Sequence, residues 1–301
     1  MPRTIDLNLL IALQALLEER SVTRAAQRLS LSQPAASAAL AKLRRHFNDE
    51  LLTRVGTGYR LTPLAMQLVE RAGGAVSSAS RVFSLQPDFD PASADREFVV
   101  VLSDYTLAVL GGAISRLLDA RAPGVRLHLR HATTETVDAA PEALREIDAF
   151  VLPHGTLSDL PFLDLIEDEW VCLIAADHPG HPLERLTMAY LAELPWVLTY
   201  HRQTAFTTAA RQLRMHGIEP DVRLVTESYT TLPAVIAGTR RVALVQRRLA
   251  ATLTAAGQVR VLPCPFPAAP LKLALWWHPI NTGDPGHRWL RGLLADAAAA
   301  V

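Results

Sequence analysis

Residues 21–47 read SVTRAAQRLSLSQPAASAALAKLRRHF, and this stretch decides the fold of the N-terminal part of the chain. Its apolar residues recur at the three- and four-residue spacing of helices. We predict a short helix over about 23–29 and a second helix that begins at Ser32, a good N-cap. Pro34 falls in the first turn of the second helix, where its missing N–H costs nothing. The link over 30–32 is tight, so the pair predicts a helix-turn-helix.

Small side chains stand where these two helices must cross. Ala25 and Ala26 permit a close approach of the backbones, and we expect Leu29, Leu31 and Leu40 to fill the angle between the helices. The opposite face of the second helix is short and polar. A surface of this kind fits a DNA major groove, which is about 12 Å wide.

The polar face carries side chains suited to DNA. Gln33 could bond a base edge bidentately, as glutamine does with adenine, and Pro34 and Ala38 could contact thymine methyl groups. Phosphates are the expected partners of Ser32, Lys42 and Arg54. A helical hairpin with a solvated polar face remains the structural alternative. The candidate DNA-binding residues are Ser32, Gln33, Pro34, Ser37, Ala38, Lys42 and Arg54.

The sequence after the helix-turn-helix predicts a hairpin and then a long helix. Residues 51–62 hold two β-like pieces around Gly56-Thr57-Gly58, where glycines permit positive φ. A heptad stripe follows, mostly of alanine, which would let two such helices pack closely. Packing of this helix on its own domain is the alternative. The stripe consists of Leu61, Ala65, Leu68, Ala72, Ala75, Ala79 and Val82.

The remainder of the chain alternates strands with helices. A polar, proline-containing linker over 87–94 comes first, and strands such as FVVVLS (98–103) and RVALVQ (241–246) then alternate with helical segments, among them 135–146 and 204–216. This alternation predicts parallel α/β sheets with helices on their faces. The pattern divides into two similar units without a close sequence repeat.

Composition narrows the function classes. Half of the 301 residues are apolar, and 30 basic residues balance 30 acidic ones. Residues 1–71, however, hold ten Arg or Lys against six Asp or Glu, which favours a polyanionic partner for this part. No apolar run reaches the length of a membrane span, and the N-terminus does not resemble a signal peptide, so a cytoplasmic location is expected. The two cysteines offer no disulfide framework, and neither a metal site, a cofactor motif nor a catalytic nucleophile-and-base pair is apparent.

The N-terminal motifs resemble those of the LysR-type transcriptional regulators, and several of them occur in the family's order. The chain also resembles the branch that includes nodulation and aromatic-degradation regulators. It opens with a similar DLNLL (6–10), and Leu43-Arg44, in place of the family's usual Leu-Glu after the recognition helix, fits that branch. The resemblance weakens beyond residue 95. The motifs are SVTRAAQRL (21–29), SQPA (32–35), LLTR (51–54) and LTP (61–63).

The resemblance implies a sequence-specific transcriptional regulator, not an enzyme, that binds double-stranded promoter DNA and responds to a small-molecule effector. It implies an α/β protein with an N-terminal all-α winged helix-turn-helix, a long linker helix and a two-lobed effector domain like periplasmic binding proteins. Family members typically act as tetramers on palindromic sites, so the resemblance implies a homodimer or homotetramer, of which the heptad stripe supports only the dimer. The expected parts are the DNA-binding domain (1–62), the linker or dimerisation helix and hinge (63–94), and the effector domain (95–301), with lobe I over 95–165 and 268–301 and lobe II over 166–267.

Effectors of two-lobed domains bind between the lobes, at strand ends and helix N-termini. Polar and aromatic residues at such positions suggest a small polar or aromatic ligand, such as a carboxylate held by a serine, a helix terminus and Arg202. The candidates are Ser103, Asp104, Tyr105, His154, Tyr200, His201, Arg202, Thr204, Phe206, Ser228 and Tyr229.

Two other functions compete with the regulator. The α/β part could be an enzyme or a solute-binding protein with a basic helical appendage, although no catalytic motif supports this. The chain could also be an architectural DNA binder without a ligand. Turnover by the isolated α/β part would favour the former, and an effector domain without a pocket would favour the latter.

Overall fold

A computed structural model describes residues 7–56, 58–84, 88–178, 184–199 and 213–301. The chain divides into two units, Met1–Leu85 and Gln86–Val301. Each unit has its own hydrophobic core.

The first unit holds the predicted helices and hairpin. Helices α1, α2 and α3 enclose a core of leucine and alanine, and the two strands form an antiparallel ribbon. The long helix α4 also contributes to this core. The elements are α1 (Leu7–Glu19), α2 (Val22–Arg28), α3 (Gln33–Phe47), β1 (Leu52–Val55), β2 (Gly58–Leu61) and α4 (Pro63–Ser84).

The predicted helix-turn-helix is present, with one side chain in a different place. Ala25 and Ala26 are buried where α2 and α3 pack together, as expected. Leu31 is 45% exposed, so the prediction that it fills the interhelical angle was wrong. Ser30 has a φ of +54°, and after this turn of the backbone Leu31 lies at the protein surface.

The stripe predicted for the linker helix divides into two parts. Leu61 ends β2 and precedes the helix, so its assignment to the helical stripe was wrong. Ala65 and Ala72 are buried in the core of the first unit, against which Leu68 also packs. Ala75 is exposed. The first turns of α4 therefore pack on their own domain.

The described residues of the second unit form two five-stranded sheets with helices. Its elements are β3 (Glu97–Leu102), α5 (Asp104–Arg121), β4 (Arg126–His131), α6 (Thr134–Asp138), α7 (Ala140–Ala143), β5 (Ala149–Pro153), β6 (Phe162–Asp168), β7 (Trp170–Ala175), α8 (Met188–Glu193), β8 (Pro195–Thr199), β9 (Asp221–Thr226), α9 (Leu232–Ile236), β10 (Val242–Gln246), α10 (Arg247–Thr254), β11 (Val259–Pro263), β12 (Leu271–Trp276) and α11 (Pro285–Ala299).

Both sheets are mixed, so the prediction of parallel sheets was only partly right. One sheet has the order β4-β3-β5-β12-β6, in which β12 runs antiparallel to both neighbours. The other has the order β11-β7-β10-β8-β9, in which β7 runs antiparallel to β10 and β11. We call the first sheet with its helices lobe I and the second lobe II. Strands β6 and β11 were missed from the sequence.

Two connections join the lobes. The first lies between Asp168, at the end of β6, and Trp170, at the start of β7, so the sheet of lobe I extends beyond residue 165. The second runs over 264–270, between β11 and β12. The helix predicted over 135–146 is two short helices, since Pro141 cannot donate the backbone hydrogen bond that would continue α6.

His287 on α11 makes the stability of the second unit depend on pH. Its ring is fully buried, Nε2 donates to the Asp148 carbonyl (2.9 Å) and Nδ1 accepts from Arg291 (2.8 Å), which is the pattern of a neutral imidazole. Burial, together with the Arg291 cation, lowers its pKa from 6.5 to about 4.

Between pH 6.5 and 4 the histidine is protonated in the unfolded chain but neutral in the native chain. The contribution of His287 to the free energy of unfolding is therefore complete above pH 6.5 and is lost as the pH falls from 6.5 to 4. We expect a loss of about 3 kcal/mol over this window, at about 1.4 kcal/mol per pKa unit. Urea unfolding at a series of pH values measures it. The His287→Gln variant keeps a donor but does not titrate, so parallel pH curves for the two chains would contradict the assignment.

Among the helices that the structure describes, none is long and apolar enough to cross a bilayer.

Candidate nucleic-acid interface and interlobe cleft

The exposed face of α3 is formed by its capping pattern and its amphipathic sequence. The Ser32 hydroxyl accepts from the Ala35 amide (3.3 Å) and begins the helix. Ala36, Leu40 and Leu43 are buried on one side. All six candidate residues of this segment are exposed on the other side, namely Ser32, Gln33, Pro34, Ser37, Ala38 and Lys42. One continuous surface, with the free N-terminal turn at one end, is thus available to a partner.

Ion pairing distinguishes two groups of basic side chains in this unit. Arg24 and Arg28 pair with Glu19 and Glu18, so their charges are largely compensated. Among the described residues, Lys42 and Arg54 make no ion pair within 4.0 Å and are exposed. These two cations are therefore free to contact an anionic backbone.

The hairpin places Arg54 beside the helix-turn-helix. Arg54 lies opposite Tyr59 in the β1–β2 register, and Gly56 takes a φ of +59° at the turn. Arg44 holds the base of the hairpin, because its guanidinium donates to the carbonyls of Glu50 (2.8 Å) and Leu52 (2.9 Å). The hairpin is therefore anchored to α3 and has the form of a wing.

In the second unit, the lobes meet at the N-terminus of α5. Ser103 caps this helix, with its hydroxyl accepting from the Thr106 amide (3.2 Å). Asp104 is only 6% exposed and reaches across to lobe II. Its Oδ2 accepts from the Ser228 hydroxyl (2.7 Å), the Thr230 amide (2.9 Å) and the Thr230 hydroxyl (2.9 Å). A carboxylate of the protein itself thus occupies the end of the helix that attracts anions.

A second buried carboxylate, Asp168, lies at the first connection between the lobes. Its Oδ2 accepts from the Tyr105 hydroxyl of lobe I (2.7 Å) and from the Arg248 amide of lobe II (3.1 Å). Burial and the hydrogen bond to Asp168 both raise the pKa of Tyr105, so the phenol remains protonated and donates.

The Tyr229 ring packs 6.3 Å from the Tyr105 ring, between centroids. Burial raises the pKa of Tyr229 to about 12, against hydrogen bonds from Thr199 and Gln246 that lower it. Tyr105 of lobe I and Tyr229 of lobe II are only 1% and 2% exposed. In the described part of the cleft, side chains of the two lobes therefore pack directly against each other.

Two family models match the chain. Residues 7–66 match the bacterial regulatory helix-turn-helix protein, lysR family, and residues 94–299 match the LysR substrate binding domain. The chain belongs to the LysR family. Its helix-turn-helix binds DNA, its two-lobed domain binds a small-molecule effector, and the protein is a LysR-type transcriptional regulator, not an enzyme. LysR regulators form oligomers.

Relatives and solved structures agree with this assignment. The LysR-family chain is 31% identical to nodulation protein D 2 of Rhizobium tropici, over 99% of this chain and 94% of the relative. It is 31% identical to nodulation protein D 3 of Mesorhizobium japonicum, over 99% and 98%. A probable transcriptional regulator of Pseudomonas aeruginosa matches with a TM-score of 0.75 and 26% identity, over 96% of each chain. The LysR-family regulator CbnR in complex with its target DNA shares the fold, with a TM-score of 0.67 at 17% identity, over 98% of this chain and 99% of that one.

Five of the effector candidates of this LysR-family regulator come together at the interlobe cleft: Ser103, Asp104, Tyr105, Ser228 and Tyr229. His154 follows β5, but its side chain contacts Asp164, Phe162 and Trp276 of its own lobe, unlike the expected place in the cleft wall. The other candidates lie outside the described residues, namely Tyr200, His201, Arg202, Thr204 and Phe206.

Several polar residues of the cleft were not predicted from the sequence. Asp168 ends a strand that was not recognised, so no pattern pointed to it. Gln246 ends RVALVQ, and a polar side chain at a strand end in lobe II was a usable signal, as was Thr230 next to Tyr229. Within the described part of the chain, no group of three or more His, Cys, Asp or Glu could hold a metal ion.

Proposed function

We propose that the regulator reads its operator with the N-terminal half of α3 and holds the DNA backbone with Lys42 and Arg54. The observation that carries this proposal is the uninterrupted exposure of the α3 face from Ser32 to Lys42, opposite a buried face. Gln33, in the first turn, carries a side-chain amide that offers a separate donor and acceptor to one base edge. The proposed contact set is Ser32, Gln33, Pro34, Ser37, Ala38, Lys42 and Arg54.

The effector binds between the lobes in this proposal, against Ser103, Asp104 and Ser228. In the described arrangement Asp104 holds the Ser228 and Thr230 hydroxyls, so an effector that enters here must displace or rearrange these hydrogen bonds. Binding is thereby coupled to the relative position of the lobes, which is the differential contact that an effector-driven switch requires. An aromatic or other carboxylate remains a prediction that depends on Arg202, because Asp104 would repel a carboxylate at the α5 N-terminus.

We also propose that the protein acts in the cytoplasm on promoter DNA, as a homodimer or homotetramer. Ala75 supports the formation of an oligomer, because it is exposed on α4 and its small side chain permits close packing of a second helix. Analytical ultracentrifugation of the full chain, alone and with Ala75→Glu, tests the α4 contact. We expect the variant to dissociate at lower dilution.

Two substitutions separate base reading from backbone binding. Gln33→Ala should lose about 1–3 kcal/mol of discrimination between operator and unrelated DNA, because a bidentate base contact disappears. Arg54→Ala should weaken binding to all sequences alike. It should also reduce the slope of log K against log salt concentration by about one, because one phosphate contact is lost.

The measurement is a salt titration of affinity for a selected operator and for a scrambled duplex. Arg24→Ala is the matched control for Arg54→Ala, because Arg24 is already paired with Glu19 in the same unit. Equal losses of specificity and of salt slope from both test variants would contradict the division of roles.

A further inference from the structure

The two cysteines of the chain are 92 residues apart in sequence but meet in lobe II. The Cys172 and Cys264 sulfur atoms are 3.9 Å apart and share a hydrogen bond. The strand register explains the contact, since Leu262 of β11 lies opposite Cys172 of β7 and Cys264 follows only two residues later, directly after the strand ends. The sulfur atoms of a disulfide are about 2.05 Å apart, so these two sulfur atoms must move closer together by about 1.9 Å.

The two thiols differ in environment. Cys172 is fully buried within β7. Cys264 is partly exposed and lines a cavity of about 480 Å³ together with Trp170, Phe266 and Arg247. A small reagent can therefore reach Cys264 first, whereas Cys172 has no exposed surface. The hydrogen bond to Cys264, together with burial, raises the pKa of Cys172, which agrees with this order.

The local backbone permits the approach. Pairing of β11 with β7 ends at Pro263, and the following segment contains Pro265 and Pro267, which have no N–H to extend the ladder. Cys264 thus belongs to the second connection between the lobes and is not fixed by sheet hydrogen bonds. Cys172, in contrast, is held in the centre of a paired strand.

We propose that Cys172 and Cys264 form an oxidisable dithiol, a modification site for small disulfides such as oxidised glutathione. The Cys264 thiolate attacks one sulfur of oxidised glutathione, whose S–S bond breaks and releases one glutathione thiolate, which takes up the proton that Cys264 lost. Cys172 then loses its proton and attacks the Cys264 sulfur, releasing the second glutathione as a thiol. The protein loses two electrons and two protons, and two glutathione thiols are formed.

The expected product joins β7 directly to the connection that leads to β12 in lobe I. Because the attacking and attacked sulfurs are already in contact, the second step is intramolecular. It should be faster than the first step, so that the mixed disulfide does not accumulate. Asp168 of the cleft also lines the cavity at Cys264, whereas Asp104, Ser228 and Thr230 do not. Oxidation of the two cysteines is therefore a second chemical signal to which the effector domain responds in this proposal, besides effector binding.

Intact-mass spectrometry and thiol counting of the full chain test the proposal. After incubation with oxidised glutathione, the native chain should lose the mass of two hydrogen atoms, carry no glutathione and retain neither of its two thiols until dithiothreitol restores both. In Cys172→Ser, a stable glutathione adduct should accumulate on Cys264. In Cys264→Ser, the single thiol should stay unmodified until the chain is denatured.

Cys172→Ala replaces Cys172→Ser if the serine hydroxyl in the core prevents folding, which tryptophan fluorescence reveals. A persistent glutathione adduct on the native chain would overturn the proposal, because it would show that Cys172 does not resolve it. Retention of both thiols in the native chain would overturn it as well, whether or not Cys264 of the Cys172 variant reacts.

Discussion

Replacement of Asp284 by alanine is expected to destabilise the effector domain by about 3–5 kcal/mol. Asp284 receives both arms of the Arg96 guanidinium, at 2.9 and 2.7 Å, and the two side chains are only 7% and 13% exposed. The same carboxylate caps α11 by accepting from the Gly286 and His287 amides, at 2.8 and 3.2 Å. Alanine would remove the cap and, among the described residues, leave the buried Arg96 guanidinium with only the more distant Asp148 carboxylate, 3.9 Å away, as an ion-pair partner within 4.0 Å.

Tryptophan fluorescence during urea unfolding of the full chain measures this loss. All tryptophans lie in the second unit, so the signal reports on the effector domain alone; they are Trp170, Trp196, Trp276, Trp277 and Trp289. Asp296→Ala is the matched control on the same helix, because Asp296 pairs with Arg121 at the surface, with 53% and 47% of the side chains exposed. An exposed pair contributes less than about 1 kcal/mol. Equal effects of the two substitutions would contradict the importance assigned to burial.

Asp104→Ala is expected to cost about 2–4 kcal/mol and to loosen the contact between the lobes. Three donors from lobe II converge on one carboxylate oxygen, and hydrogen bonds to a charged group contribute about 1.5–3 kcal/mol each. Water recovers part of this when the cleft opens, so the loss is smaller than the sum. The opening should appear as faster hydrogen exchange at the Thr230 amide, which loses its acceptor.

Asp119→Ala is the control for this substitution, because Asp119 is exposed on the same helix α5. It should change neither the stability of the domain nor exchange around Thr230. If Asp104→Ala behaves like Asp119→Ala, Asp104 does not couple the lobes, and the proposed link between effector binding and lobe position fails.

The sequence was most informative where local physics alone determines structure. Ser32 before Pro34 predicted the start of α3 correctly, because an N-cap hydroxyl and a first-turn proline act within a few residues. The alanines of α2 and the glycines of the hairpin were equally local signals. The resemblance to LysR-type regulators then supplied an N-terminal helix-turn-helix followed by an effector domain, and the two family models match the chain in that order.

Features that depend on contacts between distant segments were not predictable in the same way. The antiparallel place of β12 in lobe I arises because the chain returns from lobe II, and nothing in LKLALWW encodes that direction. Asp104 was named as a cleft residue, but its partners 124 and 126 positions later emerge only from the fold. His154 follows a strand end, as predicted, but its ring packs against Phe162 and Trp276 of lobe I and not in the cleft wall.

A double-mutant cycle between Gln33 and the operator tests the central claim most directly. A site is first selected from random duplexes by the full chain, and each base pair of the half-site is then substituted in turn, with affinities measured for the native chain and for Gln33→Ala. We predict one base pair whose substitution costs the native chain about 1–3 kcal/mol and costs Gln33→Ala nothing, while the other pairs affect both chains alike. Identical losses for the two chains at every base pair would show that Gln33 does not read the operator, and would contradict the assignment of base recognition to the N-terminal half of α3.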